Sequence, residues 1–331
     1  MKRRILLNQP GNLKELSLFE DTREKESKET VMVRVHAASI NPIDVYILTG
    51  LARSGTGFPY TPGNDFAGVI SEESSKRRYP KGTRVWGVLQ GSGGLQGSHA
   101  DFLEVDEDKV FPLPSEVSFA EAAASGLVSV TAFMIFNRIM KQGAQSVLVN
   151  GAGGSVGRAL VELLGARGVD CLAMTSSGEK ADECKKLGAL DSYPKHLSEF
   201  SDDEIAEITE TRGHCGAVVE IGRNPDPHRM FSVLARSGTG YILAGRAAKP
   251  VFPIGEFYSK SLKLEGIFVP DISAEELAQS SRFIAELWAE RRLIAKVHSE
   301  VPFENALEAF LKLEEAIQSQ KSIGKIVLNF E

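Results

Sequence analysis

The sequence predicts an α/β protein of two domains, a mainly antiparallel β domain and a doubly wound parallel sheet. Three observations predict it. The β-branched apolar run Val147–Val149 stops at the glycine cluster Gly151-Ala-Gly-Gly154, and an amphipathic helical pattern begins at Ser155. Beyond about residue 120, helical and extended segments alternate, as βα units joined by crossover helices do. Before that point, extended runs are separated by Pro- and Gly-rich turns without such alternation.

In order along the chain, Met1-Lys-Arg-Arg leads into Ile5-Leu-Leu7, too short for the apolar stretch of a signal peptide. It runs into the turn Asn8-Gln-Pro-Gly11 and reads as a first strand. Val31–Ala37 is a strand; Thr61–Asp65 and Pro80–Thr83 are turns. The charge runs Arg23–Glu29 and Glu72–Arg78 read as solvated loops. The alternating part predicts strand 146–150, helix 155–166, strand 169–174, helix 178–187 and a short strand near 191. Helix 202–212, strand 216–221, helix 226–235, strand 239–244 and a strand near 262–268 continue it. The tail predicts helices 274–290 and 303–317 and the strand Gly324–Phe330. Periodicity alone leaves open whether that last strand returns to the first domain.

Composition narrows the function classes. With 331 residues and 42% hydrophobic content, the chain can bury two sizeable cores. A net charge of −6 argues against nucleic acid or an anionic membrane as partner, and no apolar run reads as membrane-spanning. Cys171, Cys184 and Cys215 lack metal-ligand spacing and suggest no disulfide framework, so a reducing compartment, the cytosol, is expected.

The strongest motif is the turn at 151–157. Counting back from Gly157 gives Ala152-x-Gly154-x-x-Gly157, a dinucleotide fingerprint with alanine in the first glycine's place. Gly154 lets the backbone approach a pyrophosphate and Gly157 lets helix and strand pack closely. The free N–H groups of Ser155 and Val156 at the helix start receive the anion, and Gly153 completes the turn.

Four segments together, Asn41-Pro-Ile-Asp-Val-Tyr46, Pro62-Gly-Asn-Asp-Phe-Ala-Gly-Val69, Gly126-Leu-Val-Ser-Val-Thr-Ala132 and the fingerprint, resemble the medium-chain dehydrogenase/reductase superfamily. Within it the chain is similar to the quinone oxidoreductase (zeta-crystallin-like) branch, in order through to Gly324-Lys-Ile-Val-Leu328. The resemblance implies a GroES-like catalytic domain formed by residues 1–120 and 270–331. Residues 121–269 would be a Rossmann NADP-binding domain, with the active site in a cleft between the two. It also implies a homodimer or tetramer built by edge-strand pairing.

Zinc-dependent members of the superfamily hold catalytic zinc with a cysteine near position 41 and a histidine near 64, and carry four cysteines near 90–110. This chain has Asn41 and Asn64, and its first cysteine is Cys171. Neutral amides are poor zinc ligands. His99, where relatives are usually aromatic, reads as packed rather than ligating. A metal-free site is expected, which points away from simple alcohol dehydrogenation and towards acceptors that are already electrophilic, quinones and α,β-unsaturated carbonyls.

By resemblance, Asn41 and Tyr46 line the nicotinamide and substrate side, and Thr131 sits beside the nicotinamide. Asn41 would orient cofactor or substrate by its amide. Tyr46 would hydrogen-bond the substrate oxygen, or donate a proton directly or through water. Each has a plainer reading: Asn41 before Pro42 as a turn residue, Tyr46 as core packing. Asp44 and Asp65 read as structural acids that accept backbone N–H groups. Where relatives carry an aromatic residue after the Tyr46 segment, this chain has Leu51-Ala52, which reshapes the substrate side.

For the cofactor, an NAD-preferring domain needs an acid at the end of the second strand to grip the ribose 2′-OH. That place reads Met174-Thr-Ser-Ser-Gly-Glu-Lys180; Asp170 lies at the wrong end of the strand, and Glu179 falls in the first turn of the next helix. Ser176, Ser177 and Lys180 suit a 2′-phosphate, and Lys180 matches a family position that contacts it, so NADPH is the expected cofactor. Relatives place a phosphate-contacting tyrosine after a Leu-Gly-Ala turn. Here Tyr193 follows Leu187-Gly-Ala at a shorter interval. Arg246, after Leu243-Ala-Gly245, reads either as a contact to the cofactor or an acidic substrate, or as a surface residue.

The expected function is a zinc-independent NADPH-dependent reductase of quinones or α,β-unsaturated carbonyl compounds such as 2-alkenals. The alternatives are an enoyl-thioester reductase of the same superfamily, or a low-turnover NADPH-binding redox sensor or RNA-binding protein. The acidic balance and the lack of an aromatic–basic patch weigh against RNA.

Overall fold

The computed structural model describes residues 2–92, 94–319 and 323–330. The chain divides into two compact units, Met1–Val130 with Pro270–Glu331, and Thr131–Val269.

The first unit opens with β1 (Arg3–Leu6), which pairs antiparallel with β2 (Ser17–Glu20). A longer strand, β3 (Thr30–Ile40), leads into the short helix α1 (Pro42–Leu48). Pro42 stands at the first helical position, where its missing N–H costs nothing and its φ is already helical. β4 (Phe66–Glu72), β5 (Arg84–Gly87), β6 (Phe102–Asp106) and β7 (Phe111–Pro112) complete the N-terminal strands. The helix α2 (Phe119–Gln142) belongs to both units, which part at Val130 and Thr131. That division falls later than the expected 120, because one unbroken helix runs through it.

α2 also corrects an expectation about apolar runs. By length and composition it could cross a membrane, yet 78% of its most apolar window is buried inside the protein. A helix apolar on all sides is what a buried core position requires.

The second unit is built on β8 (Ser146–Asn150), α3 (Ser155–Ala166), β9 (Asp170–Met174), α4 (Gly178–Lys186) and β10 (Asp191–Tyr193). There follow α5 (Asp202–Arg212), β11 (Cys215–Glu220), α6 (Pro227–Val233), β12 (Leu234–Ile242), α7 (Ile254–Ser259) and β13 (Lys263–Gly266). The six strands are parallel in the order β10-β9-β8-β11-β12-β13. β8 therefore connects outward in one direction and β11 in the other, which makes their carboxyl ends a topological switch point.

The tail returns to the first unit through α8 (Ala274–Ala289), β14 (Val297–Pro302), α9 (Ala306–Gln318) and β15 (Lys325–Asn329). β15 pairs antiparallel with β3, in the register Ile326↔Ile40 and Val327↔Ser39, and parallel with β14. The resulting sheet runs β14-β15-β3-β4-β5-β7, with β6 also on β3. This settles the destination of the last strand, and the sheet is antiparallel apart from β14 on β15. The fold is thus a GroES-like, mainly antiparallel domain with a Rossmann-type parallel sheet.

Candidate active site

In the first unit, the two residues expected to act on substrate lie at α1, Asn41 as its N-cap and Tyr46 within it. The backbone N–H of Asn41 is received by Asp44 Oδ2 at 2.8 Å. The Asn41 side chain makes no cap hydrogen bond and turns instead into the interior, where the residue is 5% exposed. Its Nδ2 donates to Asp65 Oδ2 (2.7 Å) and Ser39 Oγ (3.3 Å), and its Oδ1 accepts from Lys325 Nζ (2.6 Å). An ammonium can only donate and a carboxylate can only accept, so these partners settle which way the amide points.

Around that amide lies a closed polar nest. Lys325 Nζ also donates to Ser39 Oγ at 2.8 Å and pairs with Asp65 Oδ2 at 3.7 Å. Asp65 accepts further from Ser39 Oγ (2.7 Å) and from the Leu127 backbone N–H (2.6 Å). Asp44 Oδ1 accepts from Asn64 Nδ2 at 2.7 Å, and Asn64 Oδ1 accepts from Ser92 Oγ. Both acids receive backbone N–H groups, as expected. Burial pushes the Asp44 carboxyl up to about 7 and lowers Lys325, against the pull of Asp65 and Asp44 on that lysine. His99 is fully buried, and its Nε2–H donates to the Ser39 carbonyl at 3.2 Å; burial brings it down to about 4, so the ring is neutral.

Tyr46 lies along the same helix, half-buried. Its hydroxyl has no hydrogen-bond partner among the described residues and is free to serve a ligand. Asn41 differs in kind. Its amide spends both hydrogens and one oxygen lone pair inside the nest.

In the second unit, the glycine turn has the predicted form. Gly151 and Ala152 donate to the Met174 carbonyl, and Gly154 is the N-cap of α3 without a side-chain cap. The backbone N–H groups of Ser155, Val156 and Gly157 find no acceptor among the described residues, and the first helical donor is Arg158 to Gly154. Gly157 is required sterically: a Cβ there would lie 2.5 Å from the Gly151 carbonyl oxygen. The Lys180 side chain crosses over Gly153, where a Cβ would meet its Cδ at 2.8 Å, and its Nζ donates to Ser176 Oγ at 3.1 Å. Ser177 Oγ caps α4 by accepting from the Lys180 N–H. The structure thus gathers 152–157, Ser176, Ser177 and Lys180 at one end of β8 and β9. Orphan N–H donors and glycine clearance are what a dinucleotide pyrophosphate requires, and two hydroxyls and one cation stand beside them.

Tyr193 ends the neighbouring strand, its carbonyl accepting from the Thr175 N–H and Oγ1. Along β10, Ser192 faces α4, donating to the Ala181 carbonyl. Alternation then sends Tyr193 to the opposite face, where it packs edge-on against Phe200 and donates to Asp191 Oδ2 at 3.2 Å. The same carboxylate pairs with Lys185 at 3.4 Å and with Arg212 at 3.2 Å. Thr131 is a buried residue of α2, 5% exposed. Gly245 adopts a positive φ of 82° in the segment after β12, and Arg246 beside it is exposed.

Sequence reading missed Lys325, Ser39, Asn150 and Glu220. At the switch point Asn150 Nδ2 donates to both Glu220 carboxylate oxygens (3.0 and 2.8 Å), the Gly222 N–H donates to Oε1, and Asn150 Oδ1 accepts from the Leu197 N–H. Burial pushes the Glu220 carboxyl up to about 7. The signal for Lys325 was a lysine opening an apolar strand directly after a glycine, Gly324 at φ 71°.

The chain matches the alcohol dehydrogenase GroES-like domain family over residues 27–115 and the zinc-binding dehydrogenase family over 155–286. It is 31% identical over 250 residues to a zinc-type alcohol dehydrogenase-like protein of Schizosaccharomyces pombe, covering 71% of this chain and 69% of that one. The chain belongs to the medium-chain dehydrogenase/reductase superfamily, in its zinc-independent quinone oxidoreductase branch. With the quinone oxidoreductase of Mus musculus, it shares 26% identity over 300 residues, 90% of this chain and 88% of that one. The structure of Escherichia coli quinone oxidoreductase complexed with NADPH superposes with a TM-score of 0.81 at 23% identity, covering 99% of this chain and 100% of that one.

The zinc that the second family's description carries does not fit this medium-chain dehydrogenase/reductase. Positions 41 and 64 are amides, and the Lys325 ammonium 2.6 Å from the Asn41 oxygen would meet a metal ion as a like charge.

The raised Glu220 carboxyl predicts a pH dependence of stability. The folded state holds the proton between the ordinary value of 4.5 and about 7, so stability falls as pH rises through that window and levels off above it. Glu220→Gln removes this contribution. Its melting temperature relative to wild type is expected to rise between pH 5 and 8; a constant difference across that range would contradict the assignment.

Proposed function

We propose that the protein is an NADPH-dependent reductase of quinones or α,β-unsaturated carbonyl compounds, acting as a homodimer or tetramer. The observation that carries the cofactor reading is Lys180 lying over the glycine turn with its ammonium on Ser176. The backbone N–H groups at the start of α3 would hold the pyrophosphate. Ser176, Ser177 and Lys180 would hold the 2′-phosphate, and Thr131, Gly245 and Arg246 would contact the rest of the cofactor. When bound, the nicotinamide supplies the hydride.

The chain's own part is to hold substrate and to manage charge and proton. An electrophilic acceptor is supported by the donor set around position 41, where amides stand at 41 and 64 and a lysine ammonium already pairs with the Asp65 carboxylate. The names of the quinone oxidoreductase relatives agree with this. Tyr46 would donate a hydrogen bond to the oxygen on which negative charge develops and pass a proton to the product, directly or through water. The open edge of β13 in the second unit's sheet suits pairing with a second copy.

Two outcomes test this reading. Tyr46→Phe is expected to lower turnover of a quinone or 2-alkenal panel by about 10²-fold while leaving NADPH affinity close to wild type; unchanged turnover removes Tyr46 from the chemistry. Lys180→Ala is expected to weaken NADPH by roughly 10- to 100-fold, the value of one charge-assisted contact, and to leave NADH nearly unaffected. Equal losses for both cofactors, measured by fluorescence titration, would refute the 2′-phosphate role.

A further inference from the structure

The buried nest of the first unit contains a charged group that substrate and cofactor handling leave without a task. Lys325 is 5% exposed, and the carboxylate paired with it, Asp65, is fully buried. Burying such a pair is costly, so its retention calls for a reason beyond stability.

The sheet register supplies the geometry. Ile326 faces Ile40 across the antiparallel β15–β3 pair, so Lys325 falls opposite Asn41, where β3 gives way to α1. There the ammonium meets Asn41 Oδ1, Ser39 Oγ and Asp65 Oδ2, at 2.6, 2.8 and 3.7 Å. Asn41 passes the constraint on. Its Nδ2 is bound to Asp65 and its backbone N–H to Asp44, which sits in the first turn of α1. Asp44 is tied in turn to Asn64. Tyr46 lies on that same seven-residue helix, too short to hold its own geometry without tertiary anchors.

We propose that Lys325 is the positioning residue of this site. Its ammonium is a built-in cation that neutralises Asp65, fixes the Asn41 amide, and thereby sets the start of α1 and the place of Tyr46. This rests on the reading of Tyr46 as the group that serves substrate.

The test uses the full-length protein and two variants. Lys325→Met keeps length and removes charge, but strands the Asp65 carboxylate. Lys325→Met/Asp65→Asn removes both charges, so that a folded protein is available for comparison. In the double variant, hydrogen exchange of the peptide spanning 41–50 is expected to accelerate at least severalfold, while exchange across the second unit and the NADPH KM stay at wild-type values. Turnover is expected to fall by about 10- to 100-fold, the effect of misplacing a reacting group. Wild-type exchange over 41–50 would overturn the proposal, as would undiminished kcat in an active enzyme. If the wild-type protein reduces neither quinones nor enals, the functional reading fails by itself, and the exchange measurement still decides the place of Lys325.

Discussion

An ammonium buried beside a carboxylate persists only when the donors and acceptors of both groups are met, because each unmet ion costs several kcal/mol in the interior. Lys325 and Asp65 approach that condition by sharing Ser39 and Asn41 as common partners. The Leu127 N–H on Asp65 draws in the first half of α2 as well. The nest thus joins β3, β15, α1, α2 and the turn before β4. Removal of either ion alone would strand the other, at a cost of about 3–5 kcal/mol.

The second unit uses backbone rather than side-chain charge. Its parallel sheet brings the ends of β8 and β9 together, and the glycine turn between β8 and α3 leaves N–H groups unspent. The pair Asn150–Glu220 braces the neighbouring ends of β8 and β11. Lys180, Ser176 and Ser177 add side-chain chemistry there, and they are close in sequence because all three lie on one β–turn–α segment.

Legibility in the sequence followed the range of the interactions. The βα rhythm, the fingerprint and the Ser176–Lys180 cluster are local, and each stood out from its neighbours. β10 has three residues, too few for the sequence pattern to tell one face from the other. α1 was hidden because Asn41-Pro42 is equally good turn chemistry, and seven residues show little more than one period of amphipathicity. β14 was missed because its residues alternate only between half-buried and exposed. The nest was invisible for a different reason: Lys325 meets Asn41 across 284 positions of chain, a distance at which no periodicity speaks.

A lysine, and not a metal ion, completes the polar nest of the GroES-like unit. The most direct measurement is the zinc content of the purified protein, taken together with NADPH oxidation before and after dialysis against a chelator. No stoichiometric zinc is expected, and the same turnover on both sides of the dialysis. One zinc per chain, lost to the chelator together with activity and restored with it, would show that a metal ion serves the site instead.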